Sequence, residues 1–147
     1  FETPAQEQAF KAKLARAPGR VAYHGTVRGP RKRELFSAAH VFCLPTYYPY
    51  EGQPISILEA YASGCVVITT DHSGISDVFA DGRNGYQVEK RSSTAIRSVL
   101  EQLAERGPEL VAFARTNRAV AEERYKTDHY NRRVLDVIQG LGRGPRD

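Results

Sequence analysis

Two kinds of apolar pattern alternate along this chain. Continuous apolar runs, "VFCLP" near residues 41–45 and "CVVIT" near 65–69, have the form of strands buried on both faces in a parallel sheet. Between and around them the apolar positions recur every three to four residues, as on the inner face of a helix. The chain opens on such a helix. Thr3 is a hydroxyl cap, Pro4 sits in the first turn, Gln6 can bond back to the cap, and Phe10 and Leu14 fall on one face. "RVAYHG" predicts a short strand at 20–24, "GTVRGPRKR" a loop, and "ELFSAAH" a short helix leading into the run at 41–45. "PISILEAYASG" predicts a helix that starts near Pro54 and stops at Gly64, a residue suited to the left-handed position just past a helix end. After the run at 65–69, "DHSGISDVFADGRNG" is turn-rich around one helical turn, "YQVEK" predicts a strand at 85–89, and three helices follow near 92–105, 108–124 and 127–141.

Strands alternating with helices at this spacing predict an α/β domain: a Rossmann-like parallel sheet of four strands with helices on both faces. The domain is expected to run from 1 to 142, with 143–147 as a disordered tail. Such a fold ordinarily begins on a strand, whereas this chain enters on a helix, begins with Phe1 and contains no methionine. The expectation is therefore a piece of a longer protein that lacks the first strands of its sheet.

Composition changes this picture little. At 147 residues and 41 % hydrophobic content the chain suits one globular domain, and no apolar run approaches the roughly 20 residues that cross a bilayer. A net charge of +4 suits an anionic small ligand as well as a nucleic acid or a membrane surface. Cys43 and Cys65 each sit in an apolar run, which predicts buried free thiols and points to a reducing compartment.

The chemistry concentrates in "EGQPISILE", residues 51–59. In doubly wound sheets ligands sit beyond the carboxyl ends of the strands, near helix N-termini, and this stretch falls in that place. With a helix starting near Pro54, the amides of Ile55 and Ser56 are first-turn donors at the positive end of the helix dipole, a site for phosphate or diphosphate. Gly52 lets a ligand approach the chain closely. Glu59, about a turn and a half inside the helix, is placed to accept bonds from both hydroxyls of a ribose. Two glutamates at this distance, taken alone, are more often solvated carboxylates on an amphipathic helix. The surrounding residues shift that balance.

Those residues run Pro45 and Thr46; Glu51 and Glu59; Ala60, Ala62 and Gly64; the strand from Val66 to Ile68; Gly74 and Asp77; and Asp81, Gly82, Asn84 and Gly85. In this order they resemble the donor-binding half of glycosyltransferase family 4, retaining nucleotide-sugar enzymes of the GT-B fold, and the resemblance extends from "RVAYHGTV" to about Leu141. It implies the C-terminal half of a GT-B fold in which Glu59 holds the ribose, the Pro54 helix start with the Ile55 and Ser56 amides holds the diphosphate, and the Val27 backbone meets the base. Glu51, as the catalytic carboxylate, and Gln53 would meet the donor sugar. Three positions depart from the pattern. Gly52-Gln53-Pro54 stands where Gly-Phe-Gly is common, which removes one backbone donor; Asp77 stands where Glu is commoner; and the family's basic pair for the leaving diphosphate lies on a segment preceding Phe1.

The other candidates carry less. His24, His40, His72 and His129 are scattered, with no Cys or carboxylate at ligand spacing, and no Asp-x-Asp occurs, so neither a metal nor another cofactor is expected. Asp77 and Asp81 read as turn formers. Arg28, Arg31, Lys32 and Arg33 form a basic loop, ordinarily a solvated one. Tyr47, Tyr48 and Tyr50 could stack on a sugar or simply pack at the cleft rim. The resulting expectation is a retaining hexosyltransferase of polysaccharide biosynthesis, cytoplasmic and at the inner face of the membrane, that takes a nucleotide-sugar and a glycan or lipid-linked acceptor and binds no nucleic acid. The chain alone would bind nucleotide but transfer nothing. A non-enzymatic nucleotide- or phosphate-binding module of the same fold is the alternative.

Overall fold

The computed structural model describes residues 3–16 and 19–141, so the expected tail at 143–147 lies outside the described residues. The chain divides into two compact units, Phe1–Lys32 and Arg33–Asp147. In the first, helix α1 (Pro4–Leu14) starts as its sequence predicts: the Thr3 hydroxyl accepts from the Gln6 amide at 3.3 Å, and the Gln6 side chain accepts from the Thr3 amide at 3.3 Å. Glu7 and Lys11, one turn apart, pair at 2.7 Å on the exposed side. Beyond α1, the Tyr23 ring meets Phe10 edge-on at 5.4 Å.

That segment corrects the first predicted strand. Residues 20–24 form no strand and pair with none among the described residues; Val21 and Tyr23 stay 55 % and 45 % exposed. An apolar run becomes a strand only when a neighbouring backbone takes its hydrogen bonds, and β-propensity alone cannot supply one. The predicted basic loop is corrected too. Helix α2 spans Gly29–Ala38, so Arg31, Lys32 and Arg33 are helical. The Gly-Pro pair reads as a turn in sequence, but Gly29, at φ +54°, turns the chain in, and Pro30 occupies the first helical turn where its missing N–H costs nothing.

The second unit is built on three parallel strands, β1 (Val41–Leu44), β2 (Val66–Thr70) and β3 (Gly85–Val88), in the order β1-β2-β3. The three lie within a residue or so of the predicted spans. Central β2 is buried at all five positions, and its side chains alternate between two cores. Cys65 and Val67 face a core made with Ile57, Ala60 and Tyr61 of helix α3 (Ile55–Ala62); Val66 and Ile68 face another, made with Val88 and with Leu103 of helix α4 (Ser93–Glu105). Helices therefore cover both faces. Ile57 and Tyr61 are wholly buried, each contributing roughly 2 kcal/mol.

Helix α3 ends as its glycine predicts. Gly64 is left-handed at φ +75°, its amide donates to Tyr61 O at 2.9 Å, and the Cys65 amide donates to Ala60 O at 2.9 Å, which satisfies the last carbonyls and turns the chain into β2. Cys65 is buried as expected and its Sγ lies 3.4 Å from Ala39 O. Cys43 is a correction, since it is exposed. It shares a face with Val41 on edge strand β1, whereas α4 packs on β3, so the end of β1 lies outside that cover.

Helix α5 (Gly107–Arg124) crosses from one core to the other: Phe113 belongs to the α4 side, Val120 and Ala121 to the α3 side. Midway, Asn117 is wholly buried at the strands' N-terminal ends. Its amide nitrogen donates to Cys65 O at 2.8 Å and to Asn84 O at 2.9 Å, while its oxygen accepts from Asn84 Nδ2 at 2.9 Å. Asn84 Oδ1 accepts from Ala80 N at 3.0 Å, and Gly85 presses so closely on β2 that a Cβ there would lie 1.9 Å from Val67 O. Helix α6 (Thr127–Leu141) follows.

Candidate functional site

Parallel strands bring all their carboxyl ends to one edge, here the edge opposite Asn117. Three segments meet there: the loop from Pro45 to Pro54 after β1, the segment Asp71–His72 with the 3-10 turn Ser73–Asp77 after β2, and Glu89 to Ser92 after β3. Helix α3 begins at this edge. Pro54 is its N-cap, with no side chain closing the end, and the helical ladder starts with Ile57 N–H donating to Pro54 O at 3.0 Å. The amides of Ile55 and Ser56 precede that ladder and sit at the positive end of the helix. Ile55 is 71 % exposed, so this end is open to solvent. Pro54 is buried and holds the entry, at the expense of one amide donor.

The loop that carries Glu51 is fastened by side chains from the far end of β2 and the segment just beyond it. Thr69 Oγ1 donates to Leu44 O at 2.9 Å, Thr70 Oγ1 donates to Thr46 O, and His72 Nε2 donates to Tyr48 O at 2.6 Å. Alternate carbonyls 44, 46 and 48 are thus taken in succession, which prolongs the β1–β2 pairing beyond the last backbone rung. Within the loop the Tyr48 amide donates to Thr46 Oγ1 at 3.1 Å and the Glu51 amide to Tyr48 O at 3.0 Å. One residue past Glu51, Gly52 touches Gly74 backbone to backbone: a Cβ on Gly74 would lie 2.9 Å from Gly52 O. Ser73 and Arg91 both hold left-handed backbone, at φ +49° and +63°. Such strain in residues other than glycine gathers at functional edges.

Glu59 is half-buried in the second turn of α3 and lines a groove of about 430 Å3 with Ile55, Leu58, Glu122 and Lys126. A neighbouring cavity sets Gln53 and Asp77 opposite Arg124 and Arg133 at the corner between α5 and α6. Six of the seven predicted site residues, Glu51, Gln53, Pro54, Ile55, Ser56 and Glu59, therefore lie on one continuous loop and helix start. Val27, half-buried, belongs to the N-terminal unit.

The tyrosines divide. Tyr47 lies under the Arg91 guanidinium, 4.6 Å from its ring centre, and Tyr48 and Tyr50 meet edge-on at 5.7 Å, with Tyr50 84 % exposed. Asp81 forms a turn as expected, accepting from Gln87 N at 2.7 Å. Sequence reasoning missed Thr69, Thr70 and His72, whose contacts lie 24 or 25 residues away in the chain, and it missed Arg124 and Arg133; none carries a local signal. Among the described residues no group of three or more His, Cys, Asp or Glu is placed to hold a metal ion, and no helix is long and apolar enough to cross a membrane.

A family model described as glycosyl transferases group 1 matches residues 2–106. The chain belongs to that family. Among curated relatives of this group 1 glycosyl transferase chain is the amylovoran biosynthesis glycosyltransferase AmsK of Erwinia amylovora, 24 % identical over 113 residues, which cover 74 % of this chain and 28 % of AmsK. Among solved structures, Anabaena Alr3699/HepE in complex with UDP superposes with a TM-score of 0.80 at 18 % identity, covering 92 % of this chain and 36 % of that one. Sucrose-phosphate synthase from Thermosynechococcus elongatus superposes with a TM-score of 0.82 at 17 % identity, covering 93 % and 34 %. At such identities the superpositions speak for the fold, the Rossmann-like C-terminal half of a GT-B glycosyltransferase. The chain spans about a third or less of the length of these proteins.

Proposed function

We propose that this chain is the donor-binding portion of a retaining glycosyltransferase that moves a hexose unit from a nucleotide-diphosphate sugar to a glycan or lipid-linked acceptor. The observation that carries the reading is the uncapped start of α3 at the carboxyl edge of the sheet, where the ladder begins at Ile57 and the Ile55 and Ser56 amides precede it, in a chain of the group 1 family. In this reading those amides bind the diphosphate and Glu59 the ribose. Gln53 and Glu51 meet the sugar, Glu51 as the catalytic carboxylate beside the carbon that transfers, and the Val27 backbone meets the base. No metal or other cofactor enters the reading, because the helix end itself stabilises the negative charge that gathers on the departing diphosphate. The superposition with a protein solved with UDP, and with the same protein solved with UDP-glucose, supports a nucleotide-sugar as donor. The relative named for amylovoran biosynthesis supports a polysaccharide product. In this reading the full-length enzyme works on the cytoplasmic side with peripheral membrane association. Nucleic acid is not a partner.

Calorimetry with uridine, guanosine and adenosine diphosphates, beside a radiolabelled transfer assay, tests this reading. The 147-residue chain should bind one of the three weakly and transfer no sugar, whereas the full-length protein should do both. Binding of a diphosphate by the full-length protein with no transfer to any acceptor would favour a non-enzymatic nucleotide-binding module. No binding at all would end the reading.

A further inference from the structure

We infer that His72 is a positioning residue for the loop that carries Glu51, and that it acts through the carbonyl of Tyr48. That carbonyl accepts two hydrogen bonds at once, from His72 Nε2 at 2.6 Å and from the Glu51 amide at 3.0 Å. A carbonyl oxygen only accepts, so the bond requires the proton on Nε2, with the ring either neutral in that tautomer or protonated. One residue beyond Glu51, the Gly52 backbone lies against Gly74, where even a Cβ would come within 2.9 Å of Gly52 O. Glu51 is therefore gripped on both sides by the same short segment: three residues before it by the His72 ring, one residue after it by Gly74.

The segment that grips it is itself held rigid. Ser73, between the two contact points, keeps a left-handed φ of +49°, a conformation that persists only where its surroundings dictate it. Behind it Thr69 and Thr70 fix the two preceding alternate carbonyls, so that His72 is the outermost of three side chains stitching the loop down. The other two belong to the buried strand β2, whereas His72 lies beyond its end and closest to Glu51 along the loop. Loss of the His72 bond frees the Tyr48 carbonyl to turn and lets the Glu51 amide follow it. Misplacement of a reacting group by about 1 Å can cost roughly 100-fold in rate while leaving binding elsewhere intact.

The inference rests on the proposed role of Glu51, and its test is arranged so that the two can fail separately. In the full-length protein, His72→Phe keeps a ring of similar size without the donor, and His72→Gln returns an amide N–H that can reach the same carbonyl. Three readouts are compared: hydrogen exchange of the amides in residues 46–52, the dissociation constant for the nucleotide diphosphate, and kcat with KM for transfer. His72→Phe should speed exchange in 46–52 several-fold without touching β2 and lower kcat about 10- to 100-fold, with diphosphate affinity within about twofold of wild type. His72→Gln should restore most of both. Unchanged exchange in His72→Phe overturns the inference, as does faster exchange with unaltered kcat, or a loss of kcat that tracks a general loss of melting temperature and is not rescued by Gln. A wild-type protein that neither binds nor transfers counts against the proposed function alone, and the exchange comparison then decides whether His72 holds the loop.

Discussion

The two ends of the parallel sheet are finished in opposite ways. At the amino end the polar groups are sealed inside: Asn117 and Asn84 satisfy each other and the carbonyls that start β2 and β3, and Gly85 leaves no room for a side chain. At the carboxyl end the polar groups are fixed but face outwards. Thr69 of β2 and His72 beyond it hold the loop after β1 by its carbonyls, two residues other than glycine sit in left-handed backbone, and a helix starts uncapped. The amino end is built for permanence, with its asparagines bonded to one another and to backbone. The carboxyl end keeps its amides available at the cost of strain. Mutations at the two ends should therefore separate stability from function.

The largest loss is expected from Gly85→Ala. Its Cβ would lie 1.9 Å from Val67 O, and at φ +147° a side chain is strained whatever the space. Denaturant unfolding should show a loss above about 4 kcal/mol, or no cooperative transition. A mild effect would mean that β3 can shift away from β2 and that the amino end is softer than its packing implies.

Next comes Asn117→Leu, close in volume but unable to serve three buried partners. Asn84 O keeps the Val67 amide, so Cys65 O and Asn84 Nδ2 lose their partner at about 1 to 3 kcal/mol each, and the sum should come to about 3 kcal/mol by urea titration. Nucleotide affinity should stay within about twofold in whatever fraction remains folded. A proportionate loss of affinity at unchanged folding would show that the two ends are coupled.

At the opposite edge Glu59→Ala should do the reverse. Calorimetry on the full-length protein should show the nucleotide diphosphate weakened by roughly 1 to 3 kcal/mol, with the melting temperature close to wild type. An unchanged dissociation constant would remove Glu59 from the site.

The smallest effect is a difference in thiol reactivity. Burial pushes both thiols above their ordinary range, and access separates them: Cys65 is buried, while Cys43 is exposed on the edge strand. A disulfide reagent should label one thiol in the native protein, Cys43, and the second only as the protein unfolds. Native labelling of Cys65 would show that the α3 side of the sheet opens readily.

What could be read from sequence follows the range of the interactions. The strands at 41–44, 66–70 and 85–88 are legible because full burial writes itself as a continuous apolar run. The stretch from Glu51 to Glu59 is legible because a loop entering a helix is a local event. Residues 20–24 misled because Val21 and Tyr23 satisfy the local preference while the ladder partner that makes a strand is a non-local matter. The Gly29-Pro30 pair misled because the same two residues open a turn or a helix. Asn117, 52 residues from the carbonyl of Cys65, and His72, 24 residues from that of Tyr48, carry no pattern at all in their own neighbourhoods. Their roles exist only once the sheet has brought distant segments together.

The path of α5 bears on how the domain assembles over time. α3 and α4 each close part of one core, but Phe113 and the Val120–Ala121 pair complete both from a single helix. Synthesis delivers the sheet first, so a growing chain carries Val66, Val67 and Ile68 under incomplete cover on two sides until residue 121 is available. During that interval the nascent sheet presents unfinished apolar surface and exposed strand edges to its surroundings. Both faces then finish together, so the halves of this core should lock in one kinetic step, set by the docking of a helix that starts 19 residues after the last strand ends.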